Sequence, residues 1–216
     1  MKVLRTLALL AACALSIPAA AQAHWYAGIG FGQSRTDDEV ARNRESPVVN
    51  GTITGTELDD KDSGYKIFGG YRFLPWLAVE ASYADLGRSR TTTHILGPES
   101  PPATHSVVHD RNVTGLGADV VLSAPLTAQG SIFGRVGVVR SRLEAETSLA
   151  SISESVTVNE TITRYGFGGD WMFTRNLGLR VEWERWLDVG KGLELVGGKT
   201  GEADVDFYSV NLIYSF

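Results

Sequence analysis

The sequence predicts an all-β fold, an eight-stranded antiparallel up-and-down transmembrane β-barrel. Three observations predict it. Two-residue apolar periodicity recurs along the chain with turn signals between the runs. Long polar and short turn-like connections alternate. The final stretch, Tyr208-Ser209-Val210-Asn211-Leu212-Ile213-Tyr214-Ser215-Phe216, sets Tyr208, Val210, Leu212, Tyr214 and Phe216 on one face and mostly polar groups on the other. A soluble domain rarely ends on such an exposed strand, because the edge invites aggregation. A closed barrel whose outer face meets lipid removes that difficulty.

The amino terminus is organised differently. Met1-Lys2-Val3-Leu4-Arg5 is basic, Thr6 to Ile17 is apolar, and Ala21-Gln22-Ala23 is a small-x-small cleavage site. Residues 1–23 therefore read as a secretory signal peptide, with the barrel domain over 24–216. A competing reading takes Leu10-Ala11-Ala12-Cys13 as a lipoprotein box that leaves Cys13 lipidated, but this shortens the apolar region to Thr6–Ala12. Cleavage before His24 removes the only cysteine, so strand pairing and packing must supply stability. The net charge is −5, and losing Lys2 and Arg5 makes the remainder more acidic, which argues against nucleic acid as a partner. No apolar run after the leader reaches the length of a membrane helix. The 24 glycines, 7 tyrosines and 5 tryptophans suit many short strands.

Taken in order, Trp25 to Gln33 alternates Trp25, Ala27, Ile29 and Phe31 with Tyr26, Gly28, Gly30 and Gly32. A polar connection, Ser34 to Ser63, follows. Gly64 to Phe73 sets Tyr65, Ile67, Gly69, Tyr71 and Phe73 against Lys66, Phe68, Gly70 and Arg72. Leu74-Pro75-Trp76 turns the chain, since Pro fixes its own φ and cannot donate to a ladder. Leu77 to Asp85 opposes Val79, Ala81 and Tyr83 to Ala78, Glu80 and Ser82. A second polar connection, Leu86 to Asp110, holds three of the 4 histidines. Arg111 to Ser123 opposes Leu116, Ala118, Val120 and Leu122 to Gly117, Asp119 and Val121. After Ala124–Gly130, the strand Ser131 to Glu144 opposes Ile132, Val136 and Val138 to Phe133, Arg135 and Val139. Ala145 to Glu160 keeps alternating and extends two strands beyond the membrane, with its tip near Ser151-Ile152-Ser153. Thr161 to Phe173 opposes Tyr165, Phe167, Trp171 and Phe173 to Arg164, Gly166 and Asp170. Thr174-Arg175-Asn176 leads to Leu177–Trp186, where Leu179, Val181 and Trp183 oppose Arg180, Glu182 and Glu184. A glycine-containing connection, Leu187 to Ala203, leads to the last strand. Each run supplies the roughly nine to eleven residues that a tilted strand needs to cross a bilayer.

Alternation alone leaves open which face looks outward; a lipocalin-type carrier is also eight-stranded, with its apolar face inward. Three features favour an apolar exterior. The bulky face carries Trp25, Tyr71, Phe73, Trp171, Phe173, Trp183, Tyr214 and Phe216, many near strand ends, as interfacial aromatic girdles would. The opposite face is rich in glycine, which suits an interior just wide enough for side chains. That face also holds Glu80, Asp119, Arg135, Asp170, Arg180 and Glu182 in mid-strand. Inside, these charges can pair, whereas an Arg in lipid costs about 2–4 kcal/mol at the midplane.

These motifs resemble the eight-stranded transmembrane domain of the outer membrane protein A family. Leu179-Arg180-Val181-Glu182-Trp183 resembles its seventh strand, with Arg and Glu lumenal. Val79-Glu80, Arg135 and Asp170 match its other lumenal positions. Its lumenal lysine falls on Val121, a departure that removes one partner from the ion-pair exchange the resemblance implies. The terminal Tyr208, Val210, Leu212, Tyr214 and Phe216 resemble the family's barrel-assembly signal. The resemblance implies an integral protein of the cell outer membrane, long loops outside and short turns in the periplasm. Its implied partners are outer-membrane lipid and lipopolysaccharide, with the assembly machinery and periplasmic chaperones during biogenesis.

No catalytic, cofactor or metal site is expected. His105-Ser106 and His109-Asp110 have suitable types for nucleophilic catalysis, but adjacent residues on an extended chain point apart. Asp59, Asp60 and Asp62 lack a glycine-punctuated calcium loop. Gly190 to Gly201 lacks the strand–loop–helix setting of a phosphate cradle. A structural or surface-interaction role is the expectation, with a narrow ion or water channel gated by lumenal charges as the alternative and a lipid-modifying enzyme as a third class.

Overall fold

The computed structural model describes residues 24–37, 52–59, 61–96, 104–149, 152–191 and 203–216. The leader with Cys13, together with Asp60, lies outside the described residues. The strands are β1 (His24–Asp37), β2 (Thr52–Asp59), β3 (Lys61–Leu74), β4 (Leu77–Leu96), β5 (Thr104–Pro125), β6 (Gly130–Leu149), β7 (Ile152–Met172), β8 (Leu177–Val189) and β9 (Ala203–Ser215). They pair in the order β2-β4-β3-β1-β9-β8-β7-β6-β5, and β5 pairs back onto β4. Both β2 and β3 pair antiparallel with β4, through Asp59↔Arg90 and Tyr65↔Asp85, so they form one interrupted stave. The result is a closed antiparallel barrel of eight staves, with no free edge around the cylinder.

The two ends differ. At one end the connections are tight. Thr127 Oγ1 accepts the Gly130 N–H at 2.8 Å, and Thr174 Oγ1 accepts the Leu177 N–H at 2.9 Å, so a hydroxyl serves each turn as a backbone acceptor would. The same end holds the seam between β1 and β9, where the Phe216 N–H donates to the Trp25 carbonyl at 3.0 Å.

At the other end the strands run on far past the expected boundaries. The span Leu86–Asp110 was expected to be a connection. Instead β4 continues to Leu96 and pairs with Thr104 at the start of β5. The expected connection Ser34–Ser63 contains β2, and β8 continues to Val189. The physical reason is that strand pairing here needs no apolar face. Thr91-Thr92-Thr93, Ile95, Val107 and Val108 have β-forming backbones but no two-residue hydrophobic signal. The expected extension of the β6–β7 hairpin is found, its ladder running to Leu149↔Ile152. A bulge between Asp85 and Arg88 steps β4 out of register with β5; Gly87 supplies the φ of 80° there, and its N–H donates to Asp85 Oδ1 at 2.9 Å.

Burial follows the two-residue period. Phe31 is 70 % exposed and Leu116 65 %, while their neighbours on the opposite face fill the lumen. That filling is layered. Towards the short-turn end lie Tyr26, Phe68, Ala78, Val121, Phe133 and Ile213. Towards the long-hairpin end lie Leu86, Val113, Val139, Leu143, Ile162, Trp186, Val189, Val205 and Phe207, with smaller neighbours. Charged side chains occupy the layer between.

Candidate functional site

The middle layer is built by six staves, each contributing through its inward-facing positions. Lys66 comes from β3, Glu80 from β4, Asp119 from β5, Arg135 from β6, Arg164 and Asp170 from β7, and Arg180, Glu182 and Glu184 from β8. The structure places all six expected charges, Glu80, Asp119, Arg135, Asp170, Arg180 and Glu182, in this layer, and all are buried.

Arg135 is its hub. One terminal nitrogen, Nη2, donates to Asp119 at 2.7 Å and to Glu80 at 3.1 Å; the other, Nη1, donates to Glu182 at 2.9 Å and lies 3.0 Å from Glu184. Arg180 donates to Asp170 at 2.8 Å and to Glu80 at 2.6 Å. Glu80 also accepts the Tyr26 hydroxyl at 2.8 Å. Glu182 accepts from Lys66 and, at 3.2 Å, from the Asn211 amide. Each carboxylate thus finds cations from other staves, which a low-dielectric interior requires of a buried charge.

The two apolar layers hold this network from above and below. The Arg180 guanidinium carbon lies 4.5 Å from the Phe133 ring centre and 4.9 Å from that of Phe68; Arg164 lies 5.5 Å from Trp186. Ring faces attract these cations and shed water from them at the same time. Glycines on the inner face make room: a Cβ on Gly117 would come within 2.5 Å of Arg164 Nη2.

The sequence pattern put Lys66, Arg164 and Glu184 on the inward face but did not single them out as members of the network. Arg164 donates from Nε to Asp119 at 3.1 Å and from Nη2 to Ser82 at 2.8 Å. Lys66 lies 3.2 Å from Glu184. Face assignment was the available signal. Val121, the position of the lysine implied by the resemblance, is fully buried in the apolar layer instead; a lumenal lysine is present at Lys66 on β3.

On the outer wall, Trp25, Tyr71, Phe73, Trp171, Phe173, Tyr214 and Phe216 gather at the short-turn end. Trp25–Tyr71 and Tyr71–Phe73 ring centres are each 4.8 Å apart, and Tyr214–Phe216 centres 5.1 Å. Trp183 belongs to a second ring towards the long-hairpin end. It packs against Tyr165 and Phe167 at 5.7 and 5.1 Å and pairs in register with Tyr208. Its neighbours half-bury it, and its Nε1 donates to Asp206 at 3.2 Å. His105, Ser106 and His109, expected in a loop, lie on β5, with backbone partners Ile95, His94 and Thr91. Asp59 and Asp60 cannot be placed with Asp62 as ligands, because their side chains are outside the described residues. Among the described residues no group of acidic, His or Cys side chains is arranged to hold a metal ion.

A closed antiparallel cylinder with an apolar, aromatic-ringed outer wall and an ion-paired interior defines the class of outer-membrane barrels. The chain belongs to the outer membrane protein beta-barrel domain family, whose model matches residues 6–216. The family places it in the outer membrane. Solved structures of the same fold include Ail, the attachment invasion locus protein of Yersinia pestis, which is 19% identical with a TM-score of 0.54 and covers 91% of this chain and 100% of that one. Neisserial surface protein A is 13% identical with a TM-score of 0.53, covering 91% and 100%. OprG from Pseudomonas aeruginosa is 15% identical with a TM-score of 0.51, covering 89% and 96%. No curated protein sequence matches the chain.

Proposed function

We propose that this chain is an integral outer-membrane anchor with a structural or surface-interaction role, and that it is not an enzyme. The observation that carries the reading is the layered lumen: a charged layer closed on both sides by packed apolar side chains. The charged layer lies between two packed apolar clusters rather than along an open bore, which argues against the channel alternative. The outward aromatics Trp25, Tyr71, Phe73, Trp171, Phe173, Tyr214 and Phe216 face membrane lipid at the periplasmic side, and Trp183 faces the side where lipopolysaccharide lies. The short turns and both barrel ends of the chain lie in the periplasm, and the long hairpins lie outside. Residues 1–23 direct export, and Tyr208, Val210, Leu212, Tyr214 and Phe216 present the strand that the assembly machinery and periplasmic chaperones meet.

Single-cysteine labelling tests this topology. With a membrane-impermeant maleimide on intact cells, Ser155→Cys should label and Thr127→Cys should not; the reverse pattern would refute the orientation. In planar bilayers the purified protein should give no discrete conductance steps. Steps that change with Glu80→Ala would establish the channel instead. A mass shift in the membrane lipid on overexpression, lost in His105→Ala, would establish an enzyme.

A further inference from the structure

The join between β1 and β9 differs from the others in the cylinder. It pairs the first strand with the last, from Tyr26↔Ser215 to Asp37↔Asp204, and no hairpin links the two. Its pairing closes the longest loop in the barrel, so it carries the largest loop-closure cost. Lys66, on β3, stands one strand in from this seam. Glu182 and Glu184, on β8, stand one strand in from its other side.

The buried Lys66 ammonium donates to Glu182 and lies 3.2 Å from Glu184, so it reaches over both β1 and β9. Glycine clears the path. Gly30 is the register partner of Lys66 on one side and of Asn211 on the other, and a Cβ there would run into Asn211 Oδ1. The last strand aims the acceptor: Asn211 Nδ2 and Ser209 Oγ donate to Glu182 Oε1 at 3.2 and 3.4 Å.

The other members of the charged layer keep a partner on their own side of the seam. Arg180 also crosses it, to Glu80 at 2.6 Å, but holds Asp170 on neighbouring β7 at 2.8 Å. Glu182 and Glu184 hold Arg135 on β6 at 2.9 and 3.0 Å. Lys66 is different. Among the described residues, the acids within ion-pairing distance of it are both on β8. Glu80, on neighbouring β4, is in register with Gly70, four residues along β3 and about 13 Å away. Parting the seam therefore strands the Lys66 ammonium without a counter-charge at its own level of the lumen, which a low dielectric penalises.

We propose that Lys66 is a strap over the seam: its hold on Glu182 and Glu184 sets how often the first and last strands part in the folded barrel. This is a local role, separate from any share in overall stability.

Hydrogen exchange read amide by amide on the whole protein in phospholipid nanodiscs tests it, because local opening exposes one ladder and global unfolding exposes all. Lys66→Met keeps a long side chain and removes the charge. The expected result is exchange about tenfold faster at the β1–β9 ladder, with the β5–β6 ladder changed by less than about twofold. Asp170→Asn removes an acid from a pair between adjoining strands, and should leave the seam within about twofold. A disulfide between Gln33→Cys and Tyr208→Cys, exposed register partners across the seam, should restore slow exchange to Lys66→Met in a Cys13→Ser background, and its reduction should abolish the rescue. Equal acceleration of every ladder by Lys66→Met would make Lys66 an ordinary stabilising group and overturn the proposal. So would unchanged exchange at the seam, or equal opening by Asp170→Asn. If Lys66→Met never reaches the compact, fast-migrating form on unheated gels, the cross-linked variant decides: closure with the disulfide supports the strap, and failure with it overturns it.

Discussion

Arg180 and Asp170 stand directly across from each other on β8 and β7 and share a two-point ion pair, Nε to Oδ1 at 2.8 Å and Nη2 to Oδ2 at 3.2 Å. The same guanidinium reaches across the lumen to Glu80 at 2.6 Å. One side chain therefore ties its neighbouring stave and a distant one. Arg180→Ala should cost about 3–5 kcal/mol, because it leaves two carboxylates buried with too few partners. Adding Asp170→Asn should recover part of that loss by neutralising one of them. Urea midpoints of the single and double variants in detergent check this; equal losses would refute the pairing.

The charged layer is not balanced. Lys66, Arg135, Arg164 and Arg180 face Glu80, Asp119, Asp170, Glu182 and Glu184. Glu184 is held by charge without a directed bond: it lies 3.0 Å from Arg135, 3.2 Å from Lys66 and 3.6 Å from Arg164, yet neither oxygen makes a hydrogen bond. Glu184→Gln should cost less than about 1 kcal/mol, since it keeps the volume, breaks no hydrogen bond and removes the one acid by which the layer exceeds its bases. Glu182→Gln should destabilise by about 1–3 kcal/mol, because Glu182 is the one that accepts hydrogen bonds from Lys66, Arg135 and Asn211. Comparing the two urea midpoints tests the ranking, and a larger loss for Glu184→Gln would reverse it.

Why the pattern reached one part of this layer and not another follows from the physics of a strand. Parity fixes the face of every residue, so the inward side of Glu80, Asp119 and Arg180 was legible. Pairing across the lumen depends on stagger and side-chain reach, and Lys66 meets Glu182 over 116 residues of sequence. No local spacing encodes that. The protruding hairpins were hidden for a different reason. Inside the apolar band one face must be greasy, which leaves a two-residue signature. Beyond it Thr91, Thr92 and Thr93 can pair with His109, Val108 and Val107 with no such demand.

Close approach at Gly117 gives a steric test. Gly117→Leu would drive a side chain into Arg164, which Asp119 and Ser82 already hold in place. Overpacking of this kind costs about 1–3 kcal/mol, and displacement of a buried cation adds to it. The variant should lose the compact, fast-migrating form on unheated gels. Gly69→Leu, on the outer face where the nearest atom to a Cβ is 3.9 Å away, should keep it.

The outer wall supplies a test of which side meets lipid. Val181 is 54 % exposed and in register with Val210 on β9. Val181→Arg should destabilise by about 2–4 kcal/mol in lipid vesicles if the site lies near the midplane. The same substitution at exposed Thr157 should change stability by less than about 0.5 kcal/mol. Equal, small effects at both positions would mean that the wall does not face hydrocarbon.

The joint between the two ends of the chain carries no ionised group on its inner side. Into the lumen β1 presents Tyr26, Gly28, Gly30 and Gly32, and β9 presents Phe207, Ser209, Asn211 and Ile213, while every acid and base of the middle layer comes from β3 to β8. The seam is therefore uncharged on its lumenal side alone, since Arg35 and Asp206 stand in register across it on the outer wall. Lys66 on β3 and Glu182 on β8 stand on either side of that seam, so the meeting of first and last strand is what brings this ion pair together.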